Sequence, residues 1–146
     1  MASVRCAGGA RVIGMGNRWA GITIDCGYPA LLASFWSALL DRPVTGEHGD
    51  DPGWATVGSR LDDLPRLTFQ RVEEPKTVKV RIHLDIQVCD IDAAREQVES
   101  LGGRWSGERY DYDDGVVMVM CDPEEHEFCL VQYYDAERLG NSAPAA

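Results

Sequence analysis

The chain has 146 residues, 45% of them hydrophobic, and a formal net charge of −10 at pH 7. That length suits one domain with a real core, no apolar run reaches the ~20 residues of a membrane-spanning helix, and the charge repels phosphate backbones and anionic lipid, so neither nucleic acid nor membrane is an expected partner. Five cysteines without a CxxC pair argue against a disulfide scaffold and a zinc knuckle, and fit reduced thiols in a cytoplasmic protein.

Residues 1–18 are rich in Gly and Ala, carry three arginines and lack the continuous apolar core of a secretion signal. They read as a disordered extension, with translation able to start at Met15. The first strand follows, with Ile22, Ile24 and Cys26 on one face and Thr23 and Asp25 on the other. Leu32, Phe35, Trp36 and Leu39 then fall on one helical stripe, with Pro29 near the first turn and Pro43 beyond the end. Three strands are expected after it, near Val44, at Trp54–Ser59 and at Leu67–Val72. His48 lies in an acidic loop between the first two and is expected to face solvent. Glu73–Thr77 reads as a linker.

The second half has the same order. A strand spans Ile82–Val88, and Asp90 or Asp92 caps a helix carrying Ile91, Ala94, Val98 and Leu101, which Gly102-Gly103 stops. Strands follow at Trp105–Tyr110, Val116–Cys121 and Glu127–Tyr133. The turn Asp122–His126, with His126 expected in solvent, joins the last two. Residues 136–146 read as a flexible tail.

The two halves match at an offset of 62 residues (83 minus 21): Ile22 with Leu84, Ile24 with Ile86, Cys26 with Val88, Trp36 with Val98 and Leu39 with Leu101. The spacing exceeds that of the common solenoid repeats. A duplicated βαβββ module of the α+β class is the better reading, with module one at 19–75, module two at 79–135 and the domain at 19–135.

Alternation sorts the side chains by face. Ile82, Leu84, Ile86 and Val88 should pack on helices, leaving His83, Asp85 and Gln87 on the other face with Glu127, Cys129, Val131 and Tyr133. Two such sheets curling together would line a cup for a small molecule. Thr23, Asp25, Trp54, Gln70, His83, Asp85 and Cys129 are the candidate ligand-binding residues. His83, Asp85 and Glu127 are the candidate catalytic ones.

Each candidate has a plainer alternative. His83 suits metal ligation or proton transfer, or is a hydrogen-bonded structural histidine, and Asp85 could orient its ring. Glu127 in an apolar cup would have a raised pKa and act as a base, or is a solvated carboxylate at a strand start. Cys129 is a nucleophile or a small buried hydrophobe, and Cys26, Cys89 and Cys121 have weaker claims. Trp54, Trp105, Met118 and Met120 form an apolar wall or pack in the core. Arg109–Gly115, aromatic and acidic, forms a lid or an exposed hairpin.

The segments Ile24-Asp-Cys26, Ser34-Phe-Trp36, Leu67–Val72, Glu74-Pro-Lys76, His83-Leu-Asp85 and Asp122–Cys129 resemble, in order and spacing, the vicinal oxygen chelate superfamily of glyoxalases, bleomycin-resistance proteins and dioxygenases. The resemblance runs from Trp19 to Tyr134 and is greatest with the glyoxalase-like domain group. It implies a curved mixed sheet around a cup, and a homodimer. In metal-using members it also implies His or Gln at the first strand and Glu at the last strand of each module. Here His83 matches the first-strand position of module two, Gly21 that of module one, and Cys129 the Glu position of module two. The ungapped repeat sets Leu67 opposite Cys129, whereas a shifted register would offer Thr68 or Gln70.

Only His83 is a clear family ligand, so no cofactor is assigned and a divalent Zn, Ni, Fe or Mn ion is the alternative. The resemblance implies a binder of a metabolite or antibiotic without the full metal triad. Its alternatives are a lyase, isomerase or oxygenase with a rearranged metal site on His83, and metal-free acid/base catalysis by His83 with Asp85 or Glu127.

Overall fold

The computed structural model describes residues 17, 19–47, 52–59 and 64–134. The expected N-terminal extension (apart from Asn17), Met15, His48 and the tail at 136–146 lie outside them. The elements are β1 (Gly21–Cys26), α1 (Pro29–Leu40), β2 (Val44–Glu47), β3 (Trp54–Val57), β4 (Arg66–Arg71), β5 (Asp85–Gln87), α2 (Ile91–Ser100), β6 (Arg104–Tyr112), β7 (Gly115–Cys121) and β8 (Glu127–Tyr133). They form two four-stranded mixed sheets, ordered β1-β4-β3-β2 and β5-β8-β7-β6. The first strand of each sheet runs parallel to the last and the other pairings are antiparallel. The chain is therefore two βαβββ modules. No helix among the described residues is long and apolar enough to cross a membrane.

Both helices form where the sequence stripes predict. Pro29 occupies the first turn of α1, where its missing N–H leaves no bond unmade. Tyr28, at the N-cap, supplies no side-chain cap; Glu124 of module two does so instead, accepting from the N–H of Gly27 at 2.6 Å and of Tyr28 at 2.9 Å. In α2 the cap is Asp90 rather than Asp92, with its carboxylate 3.0 Å from the Ala93 N–H. Gly102, at φ +97°, turns the chain out of this helix.

Leu32, Phe35 and Trp36 of α1 and Ile91, Ala94 and Val98 of α2 are buried in one cluster with Ala55, Val57, Leu67, Phe69, Val116, Met118, Met120, Phe128 and Leu130. Phe128 of module two meets both aromatic rings of α1 edge-on, with centroids 6.2 Å from Phe35 and 4.8 Å from Trp36. The modules thus share one core rather than folding around two. Each fully buried ring contributes on the order of 2–3 kcal/mol by removal from water.

One expectation changes and two open alternatives are decided. Ile82 is 82% exposed, not packed on a helix, because the ladder to β8 ends at the Leu84 carbonyl and the chain ahead of it has left the sheet. Met118 and Met120 belong to the core, since alternation along β7 turns them toward the helices with Val116. The repeat also slips: Thr23 pairs with Thr68, while its counterpart Asp85 pairs with Cys129. Thr68, not Leu67, is therefore the structural equivalent of Cys129, at an offset of 61 (129 minus 68). One residue of register is lost within the segments joining β1 to β4, where the two halves diverge most.

Candidate functional site

Each sheet buries its aliphatic face under helices and leaves the other face helix-free. On module one, Thr23 and Asp25 of β1 stand beside Thr68 and Gln70 of β4, and Gln70 is opposite Trp54 of β3. Asp25 and Gln70 are exposed, as is Trp54 at 41%. The sequence-predicted binding residues of this half therefore share one surface.

On module two the register sets Asp85, Cys129 and Val119 in one row and Gln87, Val131, Val117 and Tyr110 in the next. A third row holds Tyr133, Gly115 and Tyr112. Tyr110, Tyr112 and Tyr133 are 46%, 57% and 42% exposed. Arg109–Gly115 takes the exposed-hairpin alternative, and the hairpin carries its tyrosines on the same face as Asp85 and Cys129. Strand period alone could have placed Tyr110 and Tyr112 there, had the strand been extended beyond Tyr110. Trp105 instead lies partly buried under the Arg95 guanidinium, 5.6 Å from its ring centroid, outside this face.

His83 is exposed immediately before β5, and the Cys129 N–H bonded to the Leu84 carbonyl at 2.9 Å carries the ladder to its neighbour. It makes no hydrogen bond or ion pair with any described residue. Burial pushes the Cys129 thiol up, and the negative charge of the Asp85 carboxylate, its neighbour across the ladder, adds to the rise. Such a thiol is a poor nucleophile at neutral pH.

Glu127 reverses an expectation. Burial alone would raise its pKa, but the Val80 N–H at 3.0 Å and the Lys76 ammonium at 3.0 Å outweigh that and hold it down, at about 2. The carboxylate anchors the inter-module linker and is a weak base near neutrality.

The donor set does not fit the metal centre of metal-using relatives. No three His, Cys, Asp or Glu side chains among the described residues are placed to hold an ion. Glu127 is committed to Lys76 and Val80, and Thr68 and Cys129 stand in the two equivalent last-strand positions. The first-strand position of module one is also closed, because a Cβ on Gly21 would lie 2.7 Å from the Arg66 carbonyl oxygen. His83 is left as a single donor.

The polar cluster that sequence reasoning missed lies at the junction of the modules. Asp122 is buried, and its carboxylate accepts from Trp36 Nε1 at 3.2 Å, Glu124 N at 2.9 Å, His126 N at 3.0 Å and His126 Nδ1 at 2.9 Å. His126, expected in solvent, is half-buried, with Nε2 2.9 Å from the Asp25 carbonyl oxygen of β1. An Asp opening a turn with a histidine four residues on was the available signal. Its partners, some hundred residues earlier, were not legible.

A family model for the glyoxalase-like domain matches residues 21–131. Among solved structures, a glyoxalase/bleomycin resistance protein/dioxygenase family enzyme from Burkholderia phytofirmans PsJN superposes with a TM-score of 0.65 at 13% identity, over 80% of this chain and 99% of that one. The fosfomycin resistance protein FosX from Listeria monocytogenes gives a TM-score of 0.65 at 18% identity, over 86% and 98%. A glyoxalase/bleomycin resistance protein/dioxygenase from Nocardioides gives 0.59 at 13%, over 92% and 93%. No curated protein matches the sequence.

Proposed function

The chain belongs to the glyoxalase-like domain family of the vicinal oxygen chelate superfamily, and on that footing we propose that it binds a small molecule, a metabolite or antibiotic, against the helix-free faces of its two sheets. The observation that carries this reading is the company on those faces. Exposed rings of Trp54, Tyr110, Tyr112 and Tyr133 share them with the carboxylates of Asp25 and Asp85, while the ligating set of metal-using relatives is incomplete. Flat rings give contact area at low entropic cost, and with carboxylates beside them they favour a cationic aromatic ligand. The overall charge of −10 draws the same kind of molecule. A homodimer, in which the faces of two chains close a cup, is part of this proposal.

Isothermal titration with a panel of cationic aromatic natural products tests it. Binding that weakens about 5- to 30-fold in Trp54→Ala and Tyr110→Ala, the loss of a cation–π or stacking contact, is expected. Chemical conversion of the bound compound would replace this reading with an enzymatic one, and sedimentation of the free and bound protein reads the dimer.

The second reading, a divalent-metal lyase, isomerase or oxygenase built around His83, is favoured by one observation elsewhere. A variant of the Listeria FosX is known in complex with Mn(II) and 1S,2S-dihydroxypropylphosphonic acid. Elemental analysis of protein purified without chelator separates the two: stoichiometric Zn, Ni, Fe or Mn, lost in His83→Ala, would establish the metalloenzyme. Metal-free acid/base chemistry by His83 with Asp85 would show as a bell-shaped pH profile in any activity found.

A further inference from the structure

We propose that His126 is a proton-dependent latch that holds the two modules together, closed while its imidazole carries both protons. The geometry of the two ring nitrogens requires that state. Nε2 lies 2.9 Å from the Asp25 carbonyl oxygen, which can only accept, so Nε2 carries hydrogen. Nδ1 lies 2.9 Å from Oδ2 and 3.0 Å from Oδ1 of Asp122. That carboxylate is already filled with donors: Trp36 Nε1, the Glu124 N–H and the His126 N–H. It has no proton to offer, so Nδ1 is also the donor. A neutral ring can satisfy only one side. Losing the Nε2 proton releases β1; losing the Nδ1 proton leaves a lone pair facing a buried carboxylate.

The surroundings agree. His126 sits between the β7–β8 turn of module two and the end of β1 in module one. Burial opposes a charge there, but Asp122, the Asp25 carbonyl and the nearby Glu124 outweigh it and raise the imidazole above its ordinary 6.5. Glu124 itself is held by the Gly27 and Tyr28 N–H groups. Arg71 directs Nε to the Gly27 carbonyl at 3.3 Å. Cys26, next along β1, has a thiol that burial, then Glu124 and Asp122, push up to about 12, so it stays neutral. Among the described residues, the groups bonded to His126 or raising its pKa are thus acceptors, and the Cys26 thiol beside them is neutral.

The sign follows from the raised value. The latch contributes fully below the unfolded value near 6.5 and is lost as pH rises through the higher folded value.

Long-range proton–nitrogen NMR of the full chain across about pH 5 to 9 reads the ring directly, with His126→Gln assigning its signals. The expected result is an imidazolium pattern, both nitrogens protonated, persisting above pH 6.5. A single neutral tautomer at or below pH 6.5 would overturn the latch. As a second measurement, the unfolding temperature of wild type should exceed that of His126→Gln at pH 6, and the gap should close toward pH 9. A gap that is constant with pH would also overturn it. If His126→Gln does not fold, the wild-type spectra decide alone, with Asp122→Asn expected to move the ring's titration downward.

Discussion

Trp36 Nε1 donates to Asp122 Oδ2 at 3.2 Å, with both residues about 1% exposed. The bond joins the helix of one module to the turn of the other beneath the surface, where water cannot replace either partner. A buried donor or acceptor left unmatched loses its hydration without return, and a charged one loses more.

Trp36→Phe keeps most of the ring contact with Phe128 and removes only the donor. It should destabilise the protein by about 1–3 kcal/mol. Asp122→Ala, which strands the Trp36 indole and the His126 imidazole together, should cost more, about 3–5 kcal/mol. Urea unfolding at pH 7 measures both; equal stability of Trp36→Phe and wild type would deny the bond any weight.

Glu127 sets a dependence on the acid side. Its folded pKa of about 2 lies below the ordinary 4.5, so its contribution is complete above roughly pH 4.5 and fades as pH falls toward 2. Glu127→Gln should be less stable than wild type by about 1–3 kcal/mol at pH 7, with the difference shrinking to nothing near pH 2. Denaturant titrations at intervals of one pH unit follow the convergence. Parallel curves down to pH 2 would mean that the carboxylate is not held by Lys76 and Val80 in solution.

The thiols should differ in reactivity, because alkylation needs an accessible thiolate. Cys89 is exposed, whereas Cys26 and Cys121 are buried, with burial pushing both thiols up, Cys26 to about 12. Iodoacetamide at pH 8 followed by peptide mapping should label Cys89 within minutes and leave Cys26 and Cys121 unlabelled until denaturant is added. Early labelling of Cys26 would indicate that the module junction opens readily.

Gly21 allows β1 to lie close to the Arg66 backbone, since a Cβ would sit 2.7 Å from that carbonyl oxygen. Gly21→Ala should destabilise by about 1–3 kcal/mol, the range of overpacking in a filled space. Gly21→His, which restores the family's side chain in name, should do the same without creating a metal site. A stable Gly21→His protein that takes up one equivalent of Zn in a titration would refute the closure of this position.

The strands and helices were legible because their signals are local. The period-2 run from Ile22 to Cys26 and the stripe of Leu32, Phe35, Trp36 and Leu39 need only neighbours a few residues away. Ile82 misled because alternation does not reveal where hydrogen-bond partners run out. The one-residue slip that pairs Thr23 with Thr68 was hidden, since a side-chain pattern of period 2 cannot date a deletion in a loop. The residues of the helix-free faces followed from alternation, but Tyr112 and Tyr133 became neighbours only through pairing with Gly115. Asp122 and His126 were opaque for a different reason: their partners are Trp36 and Asp25, 86 and 101 residues away.

Because the α1 N-terminus is finished by Glu124, the first half of this duplicated chain has handed part of its own architecture to the second. Severing the polypeptide between residues 73 and 77 would yield an amino-terminal piece whose helix starts ragged and whose indole faces emptiness. The amino-terminal module therefore depends on Glu124 and Asp122 of the second for both its helix start and its buried indole.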